Sequence, residues 1–190
     1  AVKIEAMRAL GAEVELVEGG YHDAEEAGLV YAKRNDATWV SPYNDGHVVA
    51  GQGTAASEVL QDQPETATAT WIVPVSGGGL LAGISAALRN QAKPARVIGV
   101  QVAASAFMHG LFYRNTQEDV EDLPTLADGL AGAVEDGSIT VPIIRKYVDE
   151  ILLISEEEVA EAVAFAWTEY GEKIEGSGAV GLAAILREKV

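Results

Sequence analysis

A run of apolar residues that leads straight into three glycines constrains the fold of this chain more than any other feature. Residues 71–75 read Trp-Ile-Val-Pro-Val, and residues 76–80 read Ser-Gly-Gly-Gly-Leu. This order is typical of a buried strand, a tight turn and a helix. Because glycine has no Cβ, such a turn can adopt backbone angles closed to other residues and direct several N–H groups at one anion. The helix that starts near Leu80 adds unpaired amides, so the segment predicts an anion site, with a ligand-free tight turn as the alternative.

The charge balance limits what that anion can be. The sequence has 29 acidic and 13 basic residues, which gives a net charge of −16. Such a protein would repel nucleic acid or an anionic membrane, whereas a few backbone dipoles can still bind one small phosphate. We therefore predict a small-molecule ligand, and neither nucleic acid nor membrane as a partner. The sequence has no cysteine and no long apolar run, which is consistent with a cytoplasmic protein.

The apolar pattern alternates between helices and strands along the chain, as in an α/β fold. Helices are predicted at residues 2–10, 23–34, 47–61, 80–90 and 156–170, and strands at 13–18, 71–75, 96–101 and 150–154. Turn residues at 41–46 mark a boundary, and residues 115–138 form a long irregular connection of a kind that often carries function. The strands at 71–75 and 96–101, with the helix between them, predict a parallel βαβ unit.

Other sequence patterns for cofactor or metal binding are incomplete. Gly77 and Gly79 fit the dinucleotide pattern Gly-x-Gly-x-x-Gly, but Ala82 replaces the third glycine, and Gln101 stands where an acidic residue would bind the ribose. The 3 histidines are too far apart in sequence to form a paired-ligand motif. A nucleotide-dependent oxidoreductase is therefore disfavoured but stays among the alternatives.

Six segments, taken in order, resemble threonine/serine dehydratases, which are pyridoxal-phosphate enzymes of the tryptophan-synthase-β fold type (fold type II). The segments are residues 3–14 (KIEAMRALGAEV), 50–54 (AGQGT), 73–80 (VPVSGGGL), 98–101 (IGVQ), 125–129 (TLADG) and 175–179 (EGSGA). The resemblance covers nearly the whole chain. It implies an incomplete three-layer α/β fold with a parallel sheet, in which residues 1–38 are a helix-strand-helix remnant of the small domain and 39–190 belong to the large domain.

The resemblance also assigns roles to individual residues. It implies that the phosphate of pyridoxal 5′-phosphate is bound by Ser76, Gly77, Gly78, Gly79 and Leu80. It places Asp128, Gly129 and Glu175 near the cofactor ring and the substrate amine. Related racemases bind a divalent cation through a Gly-Val-Glu motif; Gln101 occupies the glutamate position here, so we predict no metal.

The groups that would react with substrate are expected outside this sequence. In the family, the lysine that forms the Schiff base lies in a Ser-x-Lys-x-Arg type segment, which we expect upstream of Ala1. No lysine of the chain lies in such a segment, so we assign no catalytic residue to it. The family's Ser-Gly-Gly-Asn segment, whose serine faces the ring nitrogen, is expected after Val190. The chain therefore resembles a fragment lacking both ends, and we expect it to be inactive alone.

The resemblance implies the reaction of the complete enzyme. A threonine/serine dehydratase eliminates the hydroxyl group of a hydroxy amino acid and releases a 2-oxo acid and ammonia, with the cofactor as electron sink. We expect a homo-oligomer. Two alternatives stay open beside the oxidoreductase: a non-catalytic phosphate-binding or interaction protein derived from a partial gene, and another fold type II enzyme such as a racemase or a β-replacement enzyme.

Overall fold

The computed structural model describes residues 2–89 and 95–190 and divides into two compact units. The first unit extends from the N-terminus to Trp39, and the second from Val40 to Val190. In the described ranges, no helix is both long enough and apolar enough to cross a bilayer.

The described helices and strands have the following bounds. The helices are α1 (Val2–Ala9), α2 (Tyr21–Asn35), α3 (Gly46–Asp62), α4 (Gly79–Leu88), α5 (Phe107–Arg114), α6 (Thr140–Tyr147), α7 (Glu156–Tyr170) and α8 (Gly176–Leu186). The strands are β1 (Thr70–Pro74), β2 (Arg96–Val102) and β3 (Glu150–Ile154). The predicted end of the fourth helix, Asn90, lies outside the described residues.

The described part of the first unit contains two helices and has no strand at residues 13–18, where one was predicted. That prediction is wrong because a strand needs a hydrogen-bonded neighbour, and the described part of this unit offers none. Leu16 in this segment is 65% exposed. Between the segment and α2 lies a cavity of about 610 Å³, whose lining includes Val14, Tyr31 and Trp39. The Trp39 ring reaches Gly28, where a Cβ would lie 2.5 Å from a ring carbon.

In its described residues, the second unit is built on a three-stranded parallel sheet in the order β1-β2-β3. Side chains of β2 point alternately to the two faces. Val97 joins the apolar core formed with α3, α4, α5 and α6, whereas Ile98, Val100 and Val102 join the core formed with α7 and α8. Helices therefore cover both faces, which confirms the predicted three-layer α/β arrangement with a parallel sheet.

Helices α3 and α4 approach each other closely at a pair of glycines. A Cβ on Gly53 would lie 2.9 Å from the carbonyl oxygen of Gly83, and one on Gly83 would lie 2.6 Å from the Gly53 nitrogen. Contacts this short leave no room for a side chain at either residue. A Cβ on Gly51, earlier in α3, would meet no heavy atom within 4 Å, so of these two α3 glycines only Gly53 mediates the close approach.

Helix α7 begins with a capping box formed by Ser155 and Glu158. The Ser155 hydroxyl accepts a hydrogen bond from the Glu158 N–H at 3.3 Å, and the Glu158 carboxylate accepts one from the Ser155 N–H at 2.8 Å. Burial opposes ionisation of Glu158, but the hydrogen bonds from Lys189 and Ser155 outweigh it and lower the pKa of this carboxyl. The charged form therefore holds the start of α7.

Candidate functional site

The segment Ser76–Leu80, which we call the glycine loop, connects the carboxyl end of β1 to α4. The sheet pairing continues to Val75, whose N–H donates to the Val100 carbonyl at 2.9 Å. Gly78 then adopts a left-handed conformation with φ of 92° and forms the N-cap of α4. A Cβ at Gly78 would lie 2.6 Å from Ile144 Cδ1, so both the backbone angle and the available space require glycine there.

Tyr43 lies directly beneath the glycine loop. A Cβ on Gly77 would lie 2.5 Å from the Tyr43 ring, and one on Gly79 would lie 3.0 Å from the Tyr43 Cα. The Tyr43 hydroxyl accepts a hydrogen bond from the Glu135 N–H at 2.8 Å, and the residue is only 8% exposed. Glycines at 77 and 79 therefore allow the loop to lie directly against Tyr43.

The segment that carries Tyr43 is itself held at several points. Asn44 donates to the Glu135 carboxylate at 2.7 Å and accepts from the Ile139 N–H at 2.9 Å. Asp45 caps α3 by accepting from two backbone N–H groups in the first turn of that helix, and these hydrogen bonds lower the pKa of Asp45. The support beneath the glycine loop is thus fixed by polar contacts to α3 and to the connection before α6.

The glycine loop offers hydrogen-bond donors that the described residues do not use. No hydrogen bond within these ranges involves the N–H of Gly77, Gly78, Gly79 or Leu80. The carbonyl of Gly77 accepts from Thr140 Oγ1 at 2.7 Å, and that of Gly78 accepts from a backbone N–H of α4 at 2.8 Å. Consecutive free amides at the positive end of a helix fit the oxygens of a phosphate group.

A second part of the site lies over the carboxyl ends of β2 and β3. The Leu123 N–H donates to the Ala104 carbonyl just beyond β2, at 2.8 Å. Glu156, the first residue of α7, accepts from the Thr125 hydroxyl at 2.6 Å and from the Leu126 N–H at 2.7 Å. These contacts position the segment 125–130. Because the strands are parallel, this segment and the glycine loop lie at the same edge of the sheet.

The structure brings the predicted residues Asp128 and Gly129 next to the start of α8. Gly129 donates its N–H to Ser177 Oγ at 3.1 Å. A Cβ on Gly176 would lie 2.6 Å from the Leu126 carbonyl carbon, so α8 approaches the segment 125–130 without an intervening side chain. Asp128, Gly129 and Glu175 are all exposed at this edge.

Gln101 has a structural position that the sequence did not indicate. It is fully buried, and its Oε1 accepts from the His109 N–H at 2.9 Å, while its Nε2 has no partner among the described residues. Burial and the charge of Arg114 lower the pKa of His109. Among the described residues, no group of three histidine, aspartate or glutamate side chains could hold a metal ion. The hydrogen bond from the His109 N–H to Gln101 links α5 to β2.

Sequence reasoning missed the residues that position the backbone of this site. Tyr43, Thr140, Glu156 and Ser177 each contact a loop that is far away in sequence. Thr140 had one usable signal, because Pro142 two residues later is typical of the first turn of a helix. Glu156 is the first residue of α7, and no local sequence signal indicates its contacts with residues 125 and 126.

Comparison with known proteins finds similar sequences and the same fold elsewhere. The chain is 41% identical over 186 residues to the L-threonine ammonia-lyase of Thermotoga maritima, covering 98% of this chain and 46% of that protein. It thus spans about half the length of this relative. The crystal structure of a threonine deaminase from T.th. superposes with a TM-score of 0.88 at 31% identity, covering 100% of this chain and 62% of that one.

A third similar protein has a different activity in its name. The maize serine racemase structure superposes with a TM-score of 0.90 at 26% identity, covering 100% of this chain and 58% of that one. These neighbours confirm the predicted fold type II architecture. The family described as "Pyridoxal-phosphate dependent enzyme" matches residues 1–190. The chain belongs to the pyridoxal-phosphate dependent enzyme family.

Proposed function

We propose that this chain is the part of a threonine ammonia-lyase that binds the phosphate of pyridoxal 5′-phosphate through the glycine loop. The observation that carries the proposal is the set of unused amides from Gly77 to Leu80 in a chain 41% identical to an L-threonine ammonia-lyase. These amides and the N-terminal end of the α4 dipole would compensate the phosphate charge. Ser76, half-buried at the start of the loop, adds a hydroxyl group.

The remaining predicted residues take supporting roles in this proposal. Asp128, Gly129 and Glu175 line the substrate side of the site, at the edge shared with the glycine loop. Hydrogen bonds to Glu156 and Ser177 hold the segment that contains Asp128 and Gly129. Bound pyridoxal phosphate supplies the electron sink for loss of the α-proton and the β-hydroxyl. We assign no Schiff-base lysine and no metal ligand to these 190 residues.

The activity belongs to the complete protein, because this chain spans 46% of its threonine ammonia-lyase relative. We propose that the complete protein converts L-threonine or L-serine to the 2-oxo acid and ammonia. Serine racemisation is the second candidate, favoured by the TM-score of 0.90 to maize serine racemase. We also propose that the complete protein is a cytoplasmic homo-oligomer; sedimentation of the complete protein and fractionation of the source cells test these two statements.

Binding to the 190-residue chain tests the phosphate site directly. Pyridoxamine 5′-phosphate is a suitable probe because it has no aldehyde and cannot react with surface lysines. We expect it to bind more tightly than pyridoxamine, which lacks the phosphate, and more tightly than NAD. Gly78→Ala should abolish this preference, whereas Gly51→Ala, in open space on α3, should leave it unchanged. Equal affinity for pyridoxamine and its phosphate would contradict the proposed site.

Product analysis of the complete protein separates the two candidate reactions. The purified protein is incubated with L-threonine and, separately, with L-serine. Release of ammonia with a 2-oxo acid supports the ammonia-lyase, while formation of D-serine without ammonia supports the racemase. If neither product forms although the phosphate site binds its probe, the non-catalytic alternative gains support.

A further inference from the structure

A buried threonine contacts the glycine loop from below. Thr140, the first residue of α6, is fully buried, and its Oγ1 donates to the Gly77 carbonyl at 2.7 Å. Within the described ranges, this is the one side-chain hydrogen bond to the backbone of residues 76–80. Thr140 and Gly77 lie 63 positions apart in the sequence.

The hydroxyl of Thr140 has a defined direction. Its oxygen also lies 2.8 Å from Ser138 Oγ, and a hydroxyl group carries a single proton. Since the Thr140 proton is used on the Gly77 carbonyl, Ser138 must be the donor of the second hydrogen bond. Ser138 in turn accepts from the Thr140 N–H at 3.3 Å and is itself 4% exposed. The Thr140 hydroxyl is therefore held in one orientation.

This hydrogen bond determines where the next amide points. In a trans peptide unit the C=O and N–H bonds point in opposite directions, and the described residues contain no cis peptide. Holding the Gly77 carbonyl toward Thr140 therefore directs the Gly78 N–H away from Thr140. The Gly78 carbonyl is fixed in the same way by the Ala82 N–H, which directs the Gly79 N–H outward.

The peptide unit between Gly77 and Gly78 has an alternative orientation available to it. It joins two glycines, and residues without Cβ have little steric resistance to rotation of the unit between them. Rotation by half a turn would point the Gly77 carbonyl outward, where it would repel a phosphate oxygen. The Thr140 hydroxyl opposes this rotation because the turned peptide loses its 2.7 Å hydrogen bond.

We propose that Thr140 is a positioning residue for the phosphate site, which selects the orientation of the Gly77–Gly78 peptide in which the Gly78 N–H faces the anion. This inference rests on the proposed phosphate-binding function of the glycine loop. Thr140 does not touch the ligand; it acts through the backbone.

The test titrates variants of the 190-residue chain with pyridoxamine 5′-phosphate and, separately, with pyridoxamine. Binding is monitored by NMR through the resonances of the folded form. Thr140→Val keeps the side-chain volume and removes the hydroxyl. We expect it to weaken binding of the phosphate compound by about tenfold, the size of one hydrogen bond left unmade. Pyridoxamine binding should not change, and the ligand-induced shift of the Gly78 amide should be lost.

Two further variants serve as controls, and a third repeats the test. Thr140→Ser keeps the hydroxyl and should bind within about twofold of the unchanged chain. Ser138→Ala leaves the bond from Thr140 to Gly77 in place and should have a similarly small effect. Thr140→Ala provides a second variant without the hydroxyl, in case valine disturbs the fold.

Each outcome decides a different question. If both hydroxyl-free variants bind the phosphate compound as tightly as the unchanged chain does, the role of Thr140 is wrong and the phosphate site stands. If they weaken pyridoxamine and its phosphate equally, Thr140 supports the fold alone and the inference is overturned. If the unchanged chain shows no preference for the phosphate compound, the proposed function is wrong and the inference falls with it.

Discussion

Individual glycines of this protein differ in how much stability the fold would lose if they carried a side chain. A Cβ at Gly83 would overlap the Val49 carbonyl and lie 2.6 Å from the Gly53 nitrogen, whereas one at Gly51 meets nothing within 4 Å. We expect Gly83→Ala to lower the free energy of unfolding by about 3 kcal/mol, because backbone must move apart. The control Gly51→Ala should raise it by about 0.5–1 kcal/mol through helix propensity. Urea unfolding measures the free energy of unfolding of both variants. If Gly83→Ala raised it as Gly51→Ala should, the close approach of α3 and α4 would be contradicted.

At the residue scale, His109 makes the stability of the folded state depend on pH. Burial and the Arg114 charge lower its pKa from 6.5 in the folded state, so the unfolded chain takes up the proton first as the pH falls. The folded state with neutral His109 therefore keeps its full stability above pH 6.5. It loses stability as the pH decreases from 6.5 toward the pKa of His109 in the folded state. NMR titration of the His109 ring should give a midpoint below 6.5, and Arg114→Gln should move it upward. A midpoint above 6.5 would contradict this assignment.

The sequence predicted the geometry of the glycine loop but not its supports. Three glycines between a strand and a helix restrict the local backbone, and that restriction is visible within a few residues. Tyr43 and Thr140 contact the loop only through the tertiary fold. Pro142 marks the start of the helix that carries Thr140, but no local signal indicates either contact with the loop. The same holds for Gln101, whose burial depends on the packing of α5 against β2.

At the scale of elements, the carboxylate of Glu156 attaches the segment 125–130 to the start of α7. Glu156→Ala removes both acceptor oxygens, so Thr125 and Leu126 each lose their hydrogen-bond partner on α7. We expect the Leu126 amide to exchange its hydrogen about tenfold faster, in line with the loss of one hydrogen bond. Glu157→Ala, one residue along, is the matched control. Equal exchange in the two variants would show that Glu156 does not hold this segment.

Helices and strands were predictable where neighbouring residues in the sequence mark their ends. β3 has the predicted bounds, and α7 starts at its capping box. Helices α5, α6 and α8 were not predicted, and none of the three begins with a side-chain cap. The strand expected at 13–18 shows the opposite error: alternating apolar residues favour a strand, but pairing requires a neighbour that the described part of the first unit does not provide.

At the scale of the whole molecule, the two units differ in how many of their residues are buried. Only Glu25 and Ala32 are buried among the described residues up to Trp39, whereas the second unit has two apolar cores. We expect the first unit to unfold at a lower urea concentration. Chains that retain only Trp39 or only Trp71, with phenylalanine at the other tryptophans, report the two units separately by fluorescence. Coincident transitions would show that the units unfold together.

The position of Tyr43 has a consequence for any shortened form of this protein. The second unit starts at Val40, and α3 at Gly46 is its first helix. A chain cut to begin at α3 would keep all three strands of the described sheet, yet it would lose Tyr43, against which Gly77 and Gly79 lie. The minimal expressible domain must therefore include the short stretch before α3, although that stretch contains no regular secondary structure.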